Sequence, residues 1–429
     1  MKHRRLGFVW LALMLSGTPL RAASLQSRID AAPAGAVLAI PAGVYDGALT
    51  IDKPLTLHAE PGAEIRGDGR GHVISIHADH VTVEGFRISG SGLDLGRDHA
   101  AIFVQGNFAL IKGNRIEDAL HGVYIKKAND CRIVGNTIRG KVTVGEPVDR
   151  DGFRPDGGET CEAGLNQNRR GNGIHIWNSA RAAIIGNDIR NVRDGIYFSF
   201  CNRSQVIANT VTQARFGLHY MYSDYNYFEE NRFDRSAAGA VVMVSKGLLI
   251  RRNTFSANVG HRAYGLVMLS VDDSRLEENR FESNRIGLFL ELSNTNTVVG
   301  NAILRSYIGV RLTGSSDDNR FSNNRFRGNL HPVEIDGSVG DNVWAVEGVG
   351  NHWASSEIDL NGDGVGDLPH RETDLLGALR RPFPLVALLS GSPALDLVRF
   401  AQQNAALPGV PAIVDPAPLI HPPPGGVRP

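Results

Sequence analysis

The chain has 429 residues, and its 45 Lys plus Arg balance its 45 Asp plus Glu, so no global field draws it to nucleic acid or an acidic polymer. Its cysteines, Cys131, Cys161 and Cys201, are too few for a disulfide framework, and at least one must stay unpaired. The 49 glycines imply many tight turns.

The chain begins with a basic cluster, Lys2 to Arg5, then an apolar run from Leu6 to Leu15, then Ala22 and Ala23. That order predicts a signal peptide over residues 1–23, with the mature chain starting near Ala23 or Ser24. No later segment has the apolar length to cross a bilayer. The body is therefore expected to be exported, and periplasmic in a Gram-negative host.

From there on the chain is periodic. An Asn followed two positions later by an apolar residue recurs at Asn114, Asn136, Asn187, Asn209, Asn231, Asn253, Asn279, Asn301 and Asn324. A Gly followed by alternating apolar residues recurs at Gly122, Gly173, Gly195, Gly217, Gly239, Gly265, Gly287 and Gly309. The step from Gly to the next Asn is 14 residues, or 15 at the end, and the usual step from Asn to Gly is 8, so the unit is 22 residues. Short strands stacked at that period form a solenoid. The fold expected over residues 24–373 is all-β, a right-handed parallel β-helix of the pectate-lyase-like kind. Alternation places inward the residues one and three after each Gly, such as Val123 and Ile125 or Leu218 and Tyr220. A second inward column runs two after each Asn, from Ile116 to Phe326. Asn tolerates the left-handed backbone of corners, and its amide can bond the Asn of the next coil. The asparagines are thus read as a structural ladder. A leucine-rich repeat is excluded because its Leu frame is absent.

Two insertions interrupt the coil between the Asn and Gly marks, one of about thirty residues over 141–170 and a short one carrying His261. Such departures either build a binding face or are tolerated surface variation. Beside that corner, the outward positions of the middle coils are unexpectedly apolar. They carry Trp177, Tyr197, Val241, Val267, Leu269 and Phe289, which reads as an exposed patch for a partner. Among them, His219 and Met221 share one face of a strand, Met243 lies one coil beyond Met221, and His175 continues the His219 column. Imidazole and thioether together favour Cu(I), although methionines also fill apolar patches.

Cys131 occupies a small-residue position and is expected to be buried and inert, whereas any pairing of Cys161 with Cys201 is left open. Asp359, Asn361, Asp363 and Asp367 place oxygen donors around glycines as in the first part of a calcium loop, yet His370 stands where a bidentate acid is required. A calcium site and a metal-free Asx-rich turn remain alternatives. Over 374–429 the repeat stops. Leu395 and Phe400 lie in an apolar helical piece, and a Pro-rich end follows Pro408. That tail is read as a cap or, beyond Pro408, as an extended recognition arm.

The segments Arg170 to Ser179, Phe216 to Ser223, Asn351-His352-Trp353 to Asp367, and Ser392 to Leu395 resemble the NosD family, over essentially the whole mature chain. The resemblance implies a periplasmic accessory protein rather than an enzyme. It also implies work with the NosF ATPase and NosY membrane subunit, copper from the chaperone NosL, and assembly of the copper–sulfide centre of nitrous oxide reductase. The competing class is a carbohydrate-active β-helix enzyme, which needs clustered carboxylates in a groove.

Overall fold

The computed structural model describes residues 24–140, 170–260, 263–336, 340–354, 358–373, 392, 393, 397 and 412–423. The expected leader, the insertion over 141–169 with Cys161, His261, and the tail residues Leu395 and Phe400 lie outside the described residues.

The chain forms a right-handed parallel β-helix in which every coil contributes one short strand to each of three sheets, and each sheet holds 12 strands. Registers repeat from coil to coil at a spacing of 22 residues, as in Thr210 opposite Arg232 and Leu218 opposite Ala240, with a shift between Ile116 and Ala119 where Arg115–Ala119 pairs Thr137–Gly140. Both inward columns are buried, among them Ile125, Phe198, Leu218, Tyr220, Phe233 and Phe281. Because strands alternate, each apolar side chain lies over its equivalent in the next coil, and the interior is one continuous core. Stacked rings such as Phe233, Phe255 and Phe281, with centroids 5.4 and 5.0 Å apart, fill it.

The first and second sheets meet at the asparagine ladder. The backbone N–H and the side-chain amide of each Asn donate to Oδ1 of the next, as Asn209 does to Asn231 at 3.0 Å in both bonds. The asparagines themselves do not carry the left-handed backbone. Positive φ falls one residue earlier, on Gly113, Gly135, Gly186, Ala208, Glu230, Arg252, Glu278 and Gly300. The preceding residue turns the corner, which leaves the Asn extended and its amide aimed along the axis.

The recurring glycines have a different cause. A Cβ on Gly239 would stand 2.5 Å from the carbonyl oxygen of Gly265, and the same obstruction meets Gly195 against Gly217. Backbone there cannot yield, so the column is glycine for lack of space.

Both ends of the core are closed. At the start, a helix over Leu25–Ala31, capped by the Ser24 side chain, buries Leu25 and Ile29. At the far end Trp344 and Trp353 stack on Phe321 and Phe326, with centroids 4.3 and 4.4 Å apart, and His370 stacks on Trp353 at 4.5 Å. Within the stretch expected to be an extended arm beyond Pro408, Ala412–Asp415 instead folds back and pairs antiparallel with His370–Thr373. Asp415 explains why. Its carboxylate accepts from the backbone N–H of Asn351 at 2.7 Å, from the Asn351 amide at 3.2 Å and from Trp353 Nε1 at 2.9 Å. Asn351 is the tenth rung, reached from Asn324, and Asp415 takes the place of an eleventh.

Asn231→Ala leaves the Asn209 backbone N–H without its acceptor and removes one of the acceptors of the Asn209 amide, and is expected to cost about 2 kcal/mol of unfolding free energy, measured by urea denaturation. Asp415→Ala should act locally instead. Hydrogen exchange should quicken across 351–353 and 412–415 while the central coils keep their protection.

Candidate functional site

The third sheet carries the chemistry on its outer face. Its central strands are Ile174–Ala180, Asp194–Asn202, Phe216–Met221, Ala238–Lys246 and Tyr264–Asp272. Register places His175, Tyr197, His219 and Val241 in one column and Trp177, Ser199, Met221, Met243 and Leu269 in a second. A third column comes from the residues just before each Gly. Strict alternation would turn these inward. The close approach at the glycines breaks the phase, so His121, Asn172, Asp194, Phe216, Ala238 and Tyr264 join the outer face. This phase break hides Asp194 from a sequence pattern built on period two.

Rings run along the face as a near-continuous stack. Tyr124 meets His175 at 4.3 Å, His175 meets Tyr197 at 4.3 Å, Tyr197 meets His219 at 4.9 Å, and Phe216 packs on His219 at 5.2 Å. Below them His121 lies 5.3 Å from His175. The Tyr197 ring thus separates His175 from His219, so the structure does not bring His175 to the other copper candidates. It does keep His219, Met221 and Met243 together, since His219 and Met221 share a strand face and Met221 pairs in register with Met243. The Tyr197 hydroxyl donates to Met221 Sδ at 3.9 Å.

The centre of the face is ionic. Asp194 is buried and accepts from Arg215 Nε at 2.8 Å and Nη2 at 2.6 Å, and its Oδ2 lies 2.9 Å from His219 Nδ1. Burial alone would raise the Asp194 carboxyl, but the hydrogen bonds from His219 and Arg215 hold it well below the usual carboxylate range. Burial pushes His121 down to about 4, and burial with the neighbouring His121 holds His175 well below its ordinary value. Both rings are neutral at pH 7.

The apolar patch expected here is not exposed. Val241 keeps 4% of its surface, Val267 9% and Phe289 9%, because they interlock with Phe216, Ala238, Ile286 and Ile308 from the third column. Trp177 is half-buried, with Lys126 and Lys127 over its ring at 5.6 and 5.5 Å. The exposed apolar ridge lies at the next corner, on Phe200, Tyr222, Val244 and Leu292, with the Phe200 and Tyr222 rings stacked at 5.1 Å.

A family model described as "Periplasmic copper-binding protein (NosD)" matches residues 157–357, and a second, of a protein of unknown function, matches 16–228. A probable ABC transporter binding protein NosD of Stutzerimonas stutzeri is 32% identical over 399 residues, 89% of this chain and 86% of that protein. Its namesake in Pseudomonas aeruginosa is 32% identical over 405 residues, 90% of this chain and 89% of that protein. The chain belongs to the NosD family. NosD is a periplasmic family, and no helix among the described residues is long and apolar enough to cross a membrane. Two solved structures share the fold alone. A family 28 exopolygalacturonase of Yersinia enterocolitica has TM-score 0.51 and 11% identity, covering 74% of this chain and 75% of that one. A GH87 α-1,3-glucanase of Streptomyces thermodiastaticus has TM-score 0.52 and 15% identity, covering 78% and 66%.

For a NosD-family metal site the donor chemistry matters. Among the described residues no group of three or more His, Cys, Asp or Glu is arranged to hold a metal ion. Among the described residues, methionine is the sulfur donor available near His219, since Cys131 and Cys201 are buried and burial lifts both thiols to about 11. In the calcium-like loop, Asp359 accepts from the N–H of Gly362 and Gly364, Asn361 from Asp363, Asp363 from Val365, and Asp367 from Leu360. His370, at the twelfth position, is stacked on Trp353 instead. These bonds are those of an Asx-rich turn, and the two alternatives differ in their response to chelator.

Two outcomes follow. EDTA should leave the melting temperature where it was; a fall would restore the calcium reading. His121 binds its proton more weakly folded than unfolded, so stability is full above the ordinary 6.5 and is lost as pH falls from 6.5 through about 4. Each unit of that shift is worth about 1.4 kcal/mol. Urea unfolding across this range should show the slope, and His121→Asn should reduce it, leaving the part that His72 and His175 contribute in the same sense.

Proposed function

We propose that this chain is a copper-handling accessory protein that works with an ABC transporter to mature the copper–sulfide centre of nitrous oxide reductase. In this reading NosF and NosY form the transporter, NosL delivers copper, and the ion handled is transient Cu(I). Family membership and the names of the relatives support the copper and transporter parts. The observation that carries the reading within this chain is His219, 12% exposed at its side chain, held by a buried carboxylate beside Met221 and Met243 on one sheet face. A soft, low-coordinate ion suits imidazole with thioether. Cargo must also leave, and a site of neutral donors binds less tenaciously than one of thiolates.

Docking to a protein partner would use the exposed ridge of Phe200, Tyr222, Val244 and Leu292. The carbohydrate-active alternative draws on the shared fold. It asks for accessible paired carboxylates, whereas Asp194, central to this face, is buried against Arg215.

The triple variant His219→Ala, Met221→Ala, Met243→Ala removes these donors without touching an inward column. The solenoid should keep its far-UV circular dichroism, with a melting temperature lowered by the lost His219–Asp194 bond, while copper content of the reductase matured with it falls. A fully metallated reductase from cells carrying the triple variant would dismiss this site.

A further inference from the structure

Histidines are plentiful on this face, yet their hydrogen bonds divide them into two kinds. A neutral imidazole carries one proton, so the partner of Nδ1 decides what Nε2 can do. Nδ1 of His72 accepts from the N–H of Ala100 at 3.2 Å, that of His99 from Asp94 at 3.3 Å, and that of His121 from Asn172 at 3.0 Å. Nδ1 of His175 faces the Asn172 side-chain amide at 3.2 Å. The backbone N–H donors fix the proton of His72, His99 and His121 on Nε2, where the ring has no lone pair to offer, whereas the side-chain amide facing His175 can present either its nitrogen or its oxygen.

His219 is reversed. The group facing its Nδ1 at 2.9 Å is Oδ2 of an ionised carboxylate, which can only accept. Arg215 Nη2 also comes within 3.4 Å of Nδ1, but that nitrogen is already bonded to Asp194 at 2.6 Å, the shorter and better interaction. The proton of His219 thus sits on Nδ1 and the lone pair on Nε2. A carboxylate behind a ligating histidine also raises its basicity and fixes the ring plane.

We propose that Asp194, clamped by Arg215, is the positioning residue that makes His219 the metal-donating histidine of this face. Asp194 touches no metal and acts through the ring. The clamp has its own logic. A lone carboxylate in this dry environment would be costly, and the bidentate guanidinium both neutralises it and stops it from rotating. The metal part of the proposal rests on the copper reading given above, while the tautomer part does not.

The experiment uses the full-length protein with ¹⁵N-labelled histidine, His219 being assigned by its loss in His219→Gln. In the metal-free wild type, ring correlations should report Nδ1–H for His219 and Nε2–H for His121. Asp194→Leu combined with Arg215→Met removes the pair as a unit, which avoids stranding a buried charge. His219 should then move to the Nε2–H form, and Cu(I) affinity, measured anaerobically by competition with bicinchoninate, should fall about 10–100-fold. Wild-type His219 found as Nε2–H overturns the proposal even if the double variant does not fold. So does a folded double variant with wild-type Cu(I) affinity. If the wild type shows the expected tautomer but no Cu(I) binding that His219→Ala abolishes, the copper reading fails and only the hold of Asp194 on the ring survives.

Discussion

Every corner of a stacked solenoid exposes a backbone N–H to the core, where an unmet donor costs as much as a lost hydrogen bond. The asparagine ladder meets that demand. Each rung satisfies its neighbour twice, as Asn187 does at 2.9 Å from both its backbone and its amide to Asn209. The amide also bonds a carbonyl one coil back, as Asn209 does to Ile184 at 2.9 Å. These bonds allow only one register between coils, and that register decides which side chains share a column. The ladder begins where Phe86 N–H donates to Asn114 and ends on the Asp415 carboxylate. The C-terminal strand is therefore held by the same interaction that spaces the coils.

Much of this was legible because a period of 22 residues imposes one environment on each position. Any residue two after an Asn must be apolar, and Ile189, Val211 and Phe233 obey. The misreadings share a cause, in that each depends on a local departure from the period. The left-handed residue lies one before the Asn, where Glu230 and Arg252 give no compositional hint. Asn351 stands 27 residues after Asn324, and its partner Asp415 is 64 residues further on, so no spacing links them. The capping helix Leu25–Ala31 precedes the first repeat and has no copy to be compared with.

The outer face illustrates the same limit in chemical terms. His219, Met221 and Met243 could be grouped from phase alone, because all three lie after the glycine in the regular part of the strand. Asp194 and Arg215 lie before it, where the chain squeezes past the backbone of the next coil and alternation fails. The apolar residues seemed exposed for that reason too. A pattern that omits Phe216, Ala238 and Ile286 leaves Val241, Val267 and Phe289 with nothing beside them, whereas the folded chain seals them.

What separates His219 from the other rings of this face is the group that faces its Nδ1. At His121 the chain presents an amide N–H to the ring, and at His219 a side-chain carboxylate stands there instead. A buried ion pair such as Arg215 with Asp194 adds little net stability over an apolar pair of the same shape. Its effect is directional. Two bonds to the guanidinium and one to the imidazole leave the carboxylate no freedom. Every ring from Tyr124 to Phe216 is packed against the next, so the orientation set at Asp194 is not lost to motion of the side chain. The regular coil provides the rigid platform and the donors, and the residue before Gly195, where alternation fails, provides the carboxylate that orients His219.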